Sequence, residues 1–330
     1  MRILVAGGAG YIGSVTVQTL LDAGHSVTVY DDLSHGHQAA VDTRAQLVEG
    51  ALQDIACLTA AFASQPFDAV LHFAAYIEVA QSMSEPGRYF ANNVGGTISL
   101  INTAVEHGVQ RFVFSSTAAV YGPPAYTPID EQHPLVPINV YGQGKLMVEQ
   151  MLAWYGSQCG LRSISLRYFN ASGATETLGE DHEPESHLIP NLLAVPLGRR
   201  DHVDVFGDDY STPDGTCIRD YVHVIDLAGA HLLALERTER AGGVYNLGTG
   251  NGYSVRQVLD ATRRATGHPI PADVQPRRAG DPAVLVASAA LAERELGWRP
   301  QRSGIDRIVG DAWRWHAAHP RGYDSSTTAS

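Results

Sequence analysis

Arg2-Ile3-Leu4-Val5-Ala6-Gly7-Gly8-Ala9-Gly10-Tyr11-Ile12-Gly13 is a short apolar, β-branched run that breaks into closely spaced glycines. The amphipathic stretch that follows, to Ala23, completes a strand, glycine turn and helix. The glycines satisfy both G-x-x-G-x-x-G (7, 10, 13) and G-x-G-x-x-G (8, 10, 13). Residues without a side chain let the backbone turn tightly and approach a pyrophosphate, and the helix N-terminus turns unpaired N–H groups toward its negative charge. Ser26 to Tyr30 then forms a second strand ending at Asp31, 18 residues beyond Gly13. An acidic side chain there accepts hydrogen bonds from ribose hydroxyls and repels a 2′-phosphate, which favours NAD over NADP.

Working outward, Gln46 to Val48, Asp68 to Phe73 and Arg111 to Phe114 read as further buried strands separated by helix-length segments. That alternation predicts a Rossmann-like, doubly wound α/β fold with a parallel sheet. Ligands in such sheets bind outside the carboxyl ends of the strands, where Phe73-Ala74-Ala75 and Ser115-Ser116-Thr117 fall. Arg162 to Tyr168 predicts another strand, with Asn170 at the same rim. Pro184 and Pro190 mark a change of composition, and sheet-like segments follow at Val203 to Phe206 and Val244 to Leu247. The expected organisation is an NAD-binding domain over 1–170 and a smaller α/β substrate domain over 171–330, with some later segments returning to the first. The tail Ser325 to Ser330 reads as disordered.

The chain has 330 residues, 44% hydrophobic and 18% charged, enough to bury a sizeable core. Cys57, Cys159 and Cys217 are scattered, odd in number and without CxxC spacing, so neither a disulfide framework nor a zinc site is expected. A strand follows Met1 directly, and no apolar run reaches the roughly 20 residues needed to span a bilayer. The expectation is a cytoplasmic protein without membrane partners. A net charge of −12 opposes nucleic-acid binding.

Chemistry points to Thr117 and to Tyr141-Gly142-Gln143-Gly144-Lys145. If the apolar pattern from Leu146 to Tyr155 is helical, Tyr141 and Lys145 share a face at i and i+4. A cation beside a phenol stabilises phenolate, so the expectation is a tyrosine pKa lowered from about 10 toward working pH.

Taken together, these motifs resemble the extended short-chain dehydrogenase/reductase superfamily, and within it the UDP-galactose 4-epimerases, over nearly the whole chain. To the glycine turn are added His72-Phe73-Ala74-Ala75, Asn92-Asn93-Val94, Ser115-Ser116-Thr117-Ala118-Ala119-Val120-Tyr121-Gly122, the Tyr141 to Glu149 segment and Leu166-Arg167-Tyr168-Phe169-Asn170. Later come Asp214-Gly215-Thr216-Cys217-Ile218-Arg219-Asp220-Tyr221-Val222-His223 and Arg277-Arg278-Ala279-Gly280-Asp281. The resemblance implies an isomerase with bound NAD: Tyr141 takes the proton of the sugar 4-hydroxyl, C4 is oxidised, and the 4-keto sugar turns over and is reduced on its other face. Thr117 and Lys145 assist Tyr141. It implies that Gly7, Gly10, Tyr11, Ile12, Gly13, Asp31, Phe73, Ala74, Ala75, Asn92, Ser115 and Tyr168 hold the cofactor together with Tyr141 and Lys145. Asn170, Arg219 and Arg278 would anchor the uridine diphosphate, Phe206 would lie at uracil, and His187, Leu188, Asp281 and Leu285 would complete the UDP-sugar site. A homodimer is implied through the helices containing Ile98 to Val105 and Leu146 to Leu152, stretches that otherwise read as core faces.

The chain departs from the family pattern at several places. Ala51 stands where relatives usually place an adenine-contacting aspartate, Ile77 where many have lysine, and Gly144 where serine or threonine is usual. Leu285 stands where strict relatives often have tyrosine, leaving room for N-acetylated sugars. The alternatives are an epimerase of UDP-N-acetylglucosamine or UDP-pentoses and a nucleotide-sugar 4,6-dehydratase. Against the dehydratase stand Ala118 and Ala119, where its elimination needs acids. A dehydrogenase that releases NADH and a NAD-binding scaffold are the remaining rivals. His182-Glu183-Pro184-Glu185-Ser186-His187 places its histidines five apart around a proline, so they cannot share a helical face, and no metal is expected. Asn170-Ala171-Ser172 spells a sequon that is read as chance.

Overall fold

A computed structural model describes residues 1–278 and 280–323; the expected disordered tail, Ser325 to Ser330, lies outside the described residues. Arg2–Ala6 (β1) is the centre of construction. Ile3 and Val5 enter one apolar cluster with Val17 and Leu20, while Leu4 and Ala6 enter another with Tyr30, Leu58 and Val70. Successive strand side chains point to opposite faces, so a strand with four consecutive buried apolar residues, Ile3 to Ala6, must be covered on both, which is the condition of a parallel sheet between helical layers.

Six further strands complete that sheet: Ser26–Asp31 (β2), Gln46–Glu49 (β3), Ala69–His72 (β4), Arg111–Thr117 (β5), Arg162–Tyr168 (β6) and Gly243–Leu247. Their order is Gly243–Leu247, β6, β5, β4, β1, β2, β3, with every neighbouring pair parallel. The chain winds outward in both directions from β1, and the crevice between the carboxyl ends of β1 and β4 is the switch point where such folds bind ligands. Gly243–Leu247 belongs to this sheet although it comes late in the chain. The Val224–Arg237 helix also returns, laying Val224 and Ala228 against Tyr11 and Val15 of the Tyr11–Asp22 helix.

The remaining strands form smaller sheets. Ile218–His223 pairs with Gly252–Ser254 in antiparallel sense and with Asn170–Ser172 and Val284–Leu285 in parallel. Val203–Phe206 pairs with Ala272–Gln275. A separate core, including Leu192, Leu193, Val258, Ile270 and Ile308, lies beneath them. The three cysteines are free thiols. Among the described residues no helix is long and apolar enough to cross a membrane.

Candidate active site

The glycine turn is shaped by contacts that leave no room for side chains. Gly7 sits at φ +80°, and a Cβ there would lie 2.3 Å from the Ala74 nitrogen; at Gly13 it would lie 2.1 Å from the Gly7 carbonyl oxygen. At Gly10 the nearest atom would be 3.6 Å away, an ordinary contact. Gly10 is also the N-cap of the Tyr11–Asp22 helix and supplies no capping side chain, leaving the first amides turned toward the cavity. Asp31, at the end of β2, accepts from Ala9 N at 2.9 Å and Leu33 N at 3.0 Å, which fixes its carboxylate against the turn. Burial pushes its pKa up, and those amides pull it back. The turn, the open helix end and the carboxylate fit a dinucleotide.

This turn forms one wall of a cavity of about 1060 Å³ at the switch point. Every residue assigned above to the cofactor lines it: Gly7, Gly10, Tyr11, Ile12, Gly13 and Asp31 from the turn, Phe73, Ala74, Ala75 and Asn92 after β4, and Ser115, Tyr141, Lys145 and Tyr168 from the far side. Near Ala51 the wall is made by Tyr30, Gly50 and Leu52, and Ala51 contributes its carbonyl oxygen to the Tyr30 hydroxyl at 2.9 Å. Ile77 lines the cavity as an apolar patch.

The proton-transfer candidates meet where the Val140–Cys159 helix crosses the end of β5. Asn139 caps this helix by accepting from Gly142 N at 2.7 Å, and Gly160, at φ +72°, ends it. Thr117 is the last residue of β5; its Oγ1 accepts from Ala119 N at 3.2 Å, and its hydroxyl is near enough to the Tyr141 phenol to favour the phenolate. Lys145 is buried, donates to the Ser115 carbonyl oxygen at 2.8 Å and sits 5.8 Å from the Tyr141 ring centroid.

The electrostatics differ from the expectation of a lowered tyrosine pKa. Burial pushes Tyr141 up to about 12, with the Thr117 hydroxyl opposing, and pushes Lys145 down to about 7, with Glu149 opposing. Desolvation is the largest cause for both groups.

Glu149, one turn beyond Lys145, was not among the sequence candidates, although the same i, i+4 spacing continues to it. It forms a buried bidentate pair with Arg167, with N–O distances of 2.9 and 2.5 Å, and accepts from Ser116 Oγ at 2.5 Å. Arg167 donates onward to the Tyr121 hydroxyl, and Tyr121 to Asn246. The charge that supports Lys145 is therefore held by a satisfied network.

At the other end of the cavity stand Thr117, Asn170, His187, Arg219, Arg278, Asp281 and Leu285. Arg219 pairs with Asp281 at 3.3 Å. Its sequence neighbour Asp220 is buried and accepts instead from Thr249 N and Oγ1, Gly250 N and Ala287 N. Arg278 stacks over Phe206 at 3.9 Å. Phe206 itself and Leu188 are not in the cavity wall: the first supports Arg278, and the second opens the Leu188–Leu193 helix over the smaller core. Asn170, in the sequon, is a strand residue whose amide donates to the Asp220 carbonyl oxygen at 2.9 Å.

One proximity was not foreseen. His182 and His187 share no helix, yet their loop folds them together with Glu180 and Glu185, donor atoms all within 4.8 Å. Burial alone would raise the Glu180 pKa, but the charge of His187, 2.8 Å away, and that of His182 hold it well below the carboxylate range. His187 is held well above its ordinary value by Glu180, against the opposing effect of burial.

Residues 3–248 match the NAD dependent epimerase/dehydratase family. The chain is 50% identical to a UDP-glucose 4-epimerase of Streptomyces lividans, with 98% of each chain covered, and 49% identical to one of Halalkalibacterium halodurans over the same shares. Among solved structures it is similar to a UDP-glucose 4-epimerase with a TM-score of 0.96 and 48% identity, covering 98% of this chain and 100% of the other. A second, from Brucella ovis in complex with NAD, has a TM-score of 0.92 and 47% identity over 94% and 97%.

Proposed function

The chain belongs to the NAD dependent epimerase/dehydratase family, and from that premise we propose that it interconverts UDP-galactose and UDP-glucose by inverting C4 of the sugar. The observation that carries this reading is a single cavity in which the glycine turn, Tyr141 with Thr117 and Lys145, and the guanidinium groups of Arg219 and Arg278 all meet. Bound NAD supplies a reversible hydride acceptor at C4. Gly10, the amides after it and Asp31 would hold that cofactor, together with Ser115 and Lys145 across the cavity.

Tyr141 exchanges the proton of the sugar 4-hydroxyl. In the resting site the phenol keeps its proton, so base action requires stabilisation of phenolate as the site fills, and Lys145 in its charged form is the side chain placed to contribute it. Thr117 orients both the phenol and the hydroxyl it faces. Arg219 and Arg278 present planar donors suited to phosphate oxygens, so the diphosphate is held while the sugar beyond it turns over. Alanines at 118 and 119, in the turn after Thr117, supply no acid for a 4,6-elimination.

The test is conversion of UDP-galactose to UDP-glucose by purified protein without added NAD, with Tyr141→Phe alongside. The expected result is turnover that falls by about 10² to 10⁴ in the variant, the contribution of one acid/base group. Unchanged turnover in the variant would sink the assignment of Tyr141. Failure on this sugar with activity on N-acetylated or pentose sugars would move the substrate. We infer also a cytoplasmic homodimer, the first supported by three free thiols and the second by exposed Ile98 and Trp154 on adjacent helices.

A further inference from the structure

We propose that Glu180, His182, Glu185 and His187 form a binding site for one divalent transition-metal ion, of which Zn²⁺ is the representative, on the wall of the main cavity. The geometry carries it. His187 Nδ1 lies 2.8 Å from Glu180 Oε1 and 3.2 Å from Glu185 Oε1; His182 Nδ1 lies 3.4 Å from Glu180 Oε1 and 4.0 Å from Glu185 Oε2. Zinc bonds of about 2.0–2.2 Å in tetrahedral array separate neighbouring donors by about 3.3–3.6 Å. The existing histidine–carboxylate separations bracket that value, and all four donor atoms lie within 4.8 Å of one another.

A second observation points the same way. His182 Nδ1 is buried and has no hydrogen-bond partner, although a carboxylate oxygen lies 3.4 Å away. A buried ring nitrogen left in that state loses the solvation it had in water, and a metal ion between it and the carboxylate would satisfy both. The base of the loop is braced: the Asp181 carbonyl oxygen is 3.0 Å from His37 Nε2, and the Asp181 carboxylate accepts from Tyr323 N at 2.9 Å. Two imidazoles with two carboxylates suit zinc and its neighbours, whereas magnesium and calcium prefer all-oxygen shells. Glu180 and Glu185 bring two negative charges to balance a divalent ion.

The experiment is isothermal titration of the full-length, NAD-loaded protein with Zn²⁺ alone and with Mg²⁺ alone, repeated on His182→Ala and Glu185→Gln, with melting curves of each variant without metal. Expected are one saturable Zn²⁺ per chain, at least a tenfold loss of affinity in each variant and no saturable Mg²⁺. Absence of stoichiometric Zn²⁺ binding would overturn the proposal, as would equal affinity in wild type and variants, which would place the ion on other histidines. If His182→Ala does not fold, Glu185→Gln, whose side chain is 20% exposed, decides alone. The readout is metal bound, not turnover, so it stands or falls independently of the sugar reaction.

Discussion

Leu285 occupies the place where the edge of a small sheet reaches the cavity, packed against the cluster of Val120, Tyr121, Ile129 and Leu146. A leucine there leaves the volume that a phenol ring would fill. Leu285→Tyr is expected to lower turnover of UDP-N-acetylgalactosamine at least about tenfold while leaving UDP-galactose within a few-fold, since excluding a bulky group is a steric effect on one substrate. Parallel rate measurements check this; equal losses on both sugars would assign Leu285 a packing role only. At this scale the sequence was informative about which residues meet and silent about their charge states. The i, i+4 spacing of Tyr141 and Lys145 does place them on one helical face. Their pKa values are set by how deeply β5, β6 and the helix bury them, and burial depends on segments far away in the chain. The same holds for Arg219, whose partner is Asp281 and not the adjacent Asp220. Neighbours along a strand point to opposite faces.

Two glycines of the Val140–Cys159 helix separate propensity from packing. A Cβ at Gly144 would meet only Val94 Cγ2, at 3.6 Å, an ordinary contact. Gly144→Ala is therefore expected to stabilise the protein by roughly 0.8–1 kcal/mol, the helix-propensity difference, with activity retained. At Gly142 the same atom would lie 2.5 Å from the Ala119 carbonyl oxygen. Gly142→Ala must push the first turn of the helix away from the turn after Thr117, separating Thr117 from Tyr141, and is expected to cost stability and most of the activity. Urea unfolding and turnover of the two variants check the contrast; a destabilised Gly144→Ala would mean that the helix is more tightly enclosed than its contacts indicate. The elements themselves were largely legible. The consecutive apolar residues Ile3 to Ala6 and Phe112 to Phe114 mark the buried strands of a parallel sheet. The loop from Glu180 to His187 was not legible. Helical periodicity correctly denied it a shared face, but nothing in its composition says where an irregular backbone returns.

The whole molecule carries buried neutral histidines in several layers, and they set its response to acid. Burial pushes His72 down to about 3 and His231 and His316 down to about 4. Between those values and 6.5 the unfolded chain binds protons that the folded one does not, so stability is present above pH 6.5 and is lost as pH falls. Each contributes a loss of about 2 kcal/mol by pH 5. His182 and His187, whose pKa values are raised, act in the opposite sense, but by pH 6.5 most of their effect is complete. A net loss of roughly 5 kcal/mol between pH 7 and pH 5 is expected in urea unfolding, and a flat profile would contradict it.

The organisation of the surface follows from the same helices that build the site. Trp154 is 70% exposed on the Val140–Cys159 helix, and Ile98 is 37% exposed on the neighbouring Thr97–Glu106 helix. The Tyr155 hydroxyl donates to Asn102 Oδ1 at 2.5 Å and ties the two helices side by side. Tryptophan left in water on a helix whose opposite face holds Lys145 and Glu149 is the kind of residue that dominates an interface when a second copy covers it. Trp154→Glu is expected to weaken self-association by at least about 30-fold, the effect of losing a 2 kcal/mol hot spot and introducing like charges across a two-fold axis. Light scattering after size exclusion at micromolar concentration reads this directly: a dimeric wild type and a monomeric variant are expected. A wild type that is monomeric throughout would remove the dimer. A variant monomer that keeps its NAD but turns over more slowly would show that pairing the helices steadies Tyr141 and Lys145, which project from the inner side of one of them.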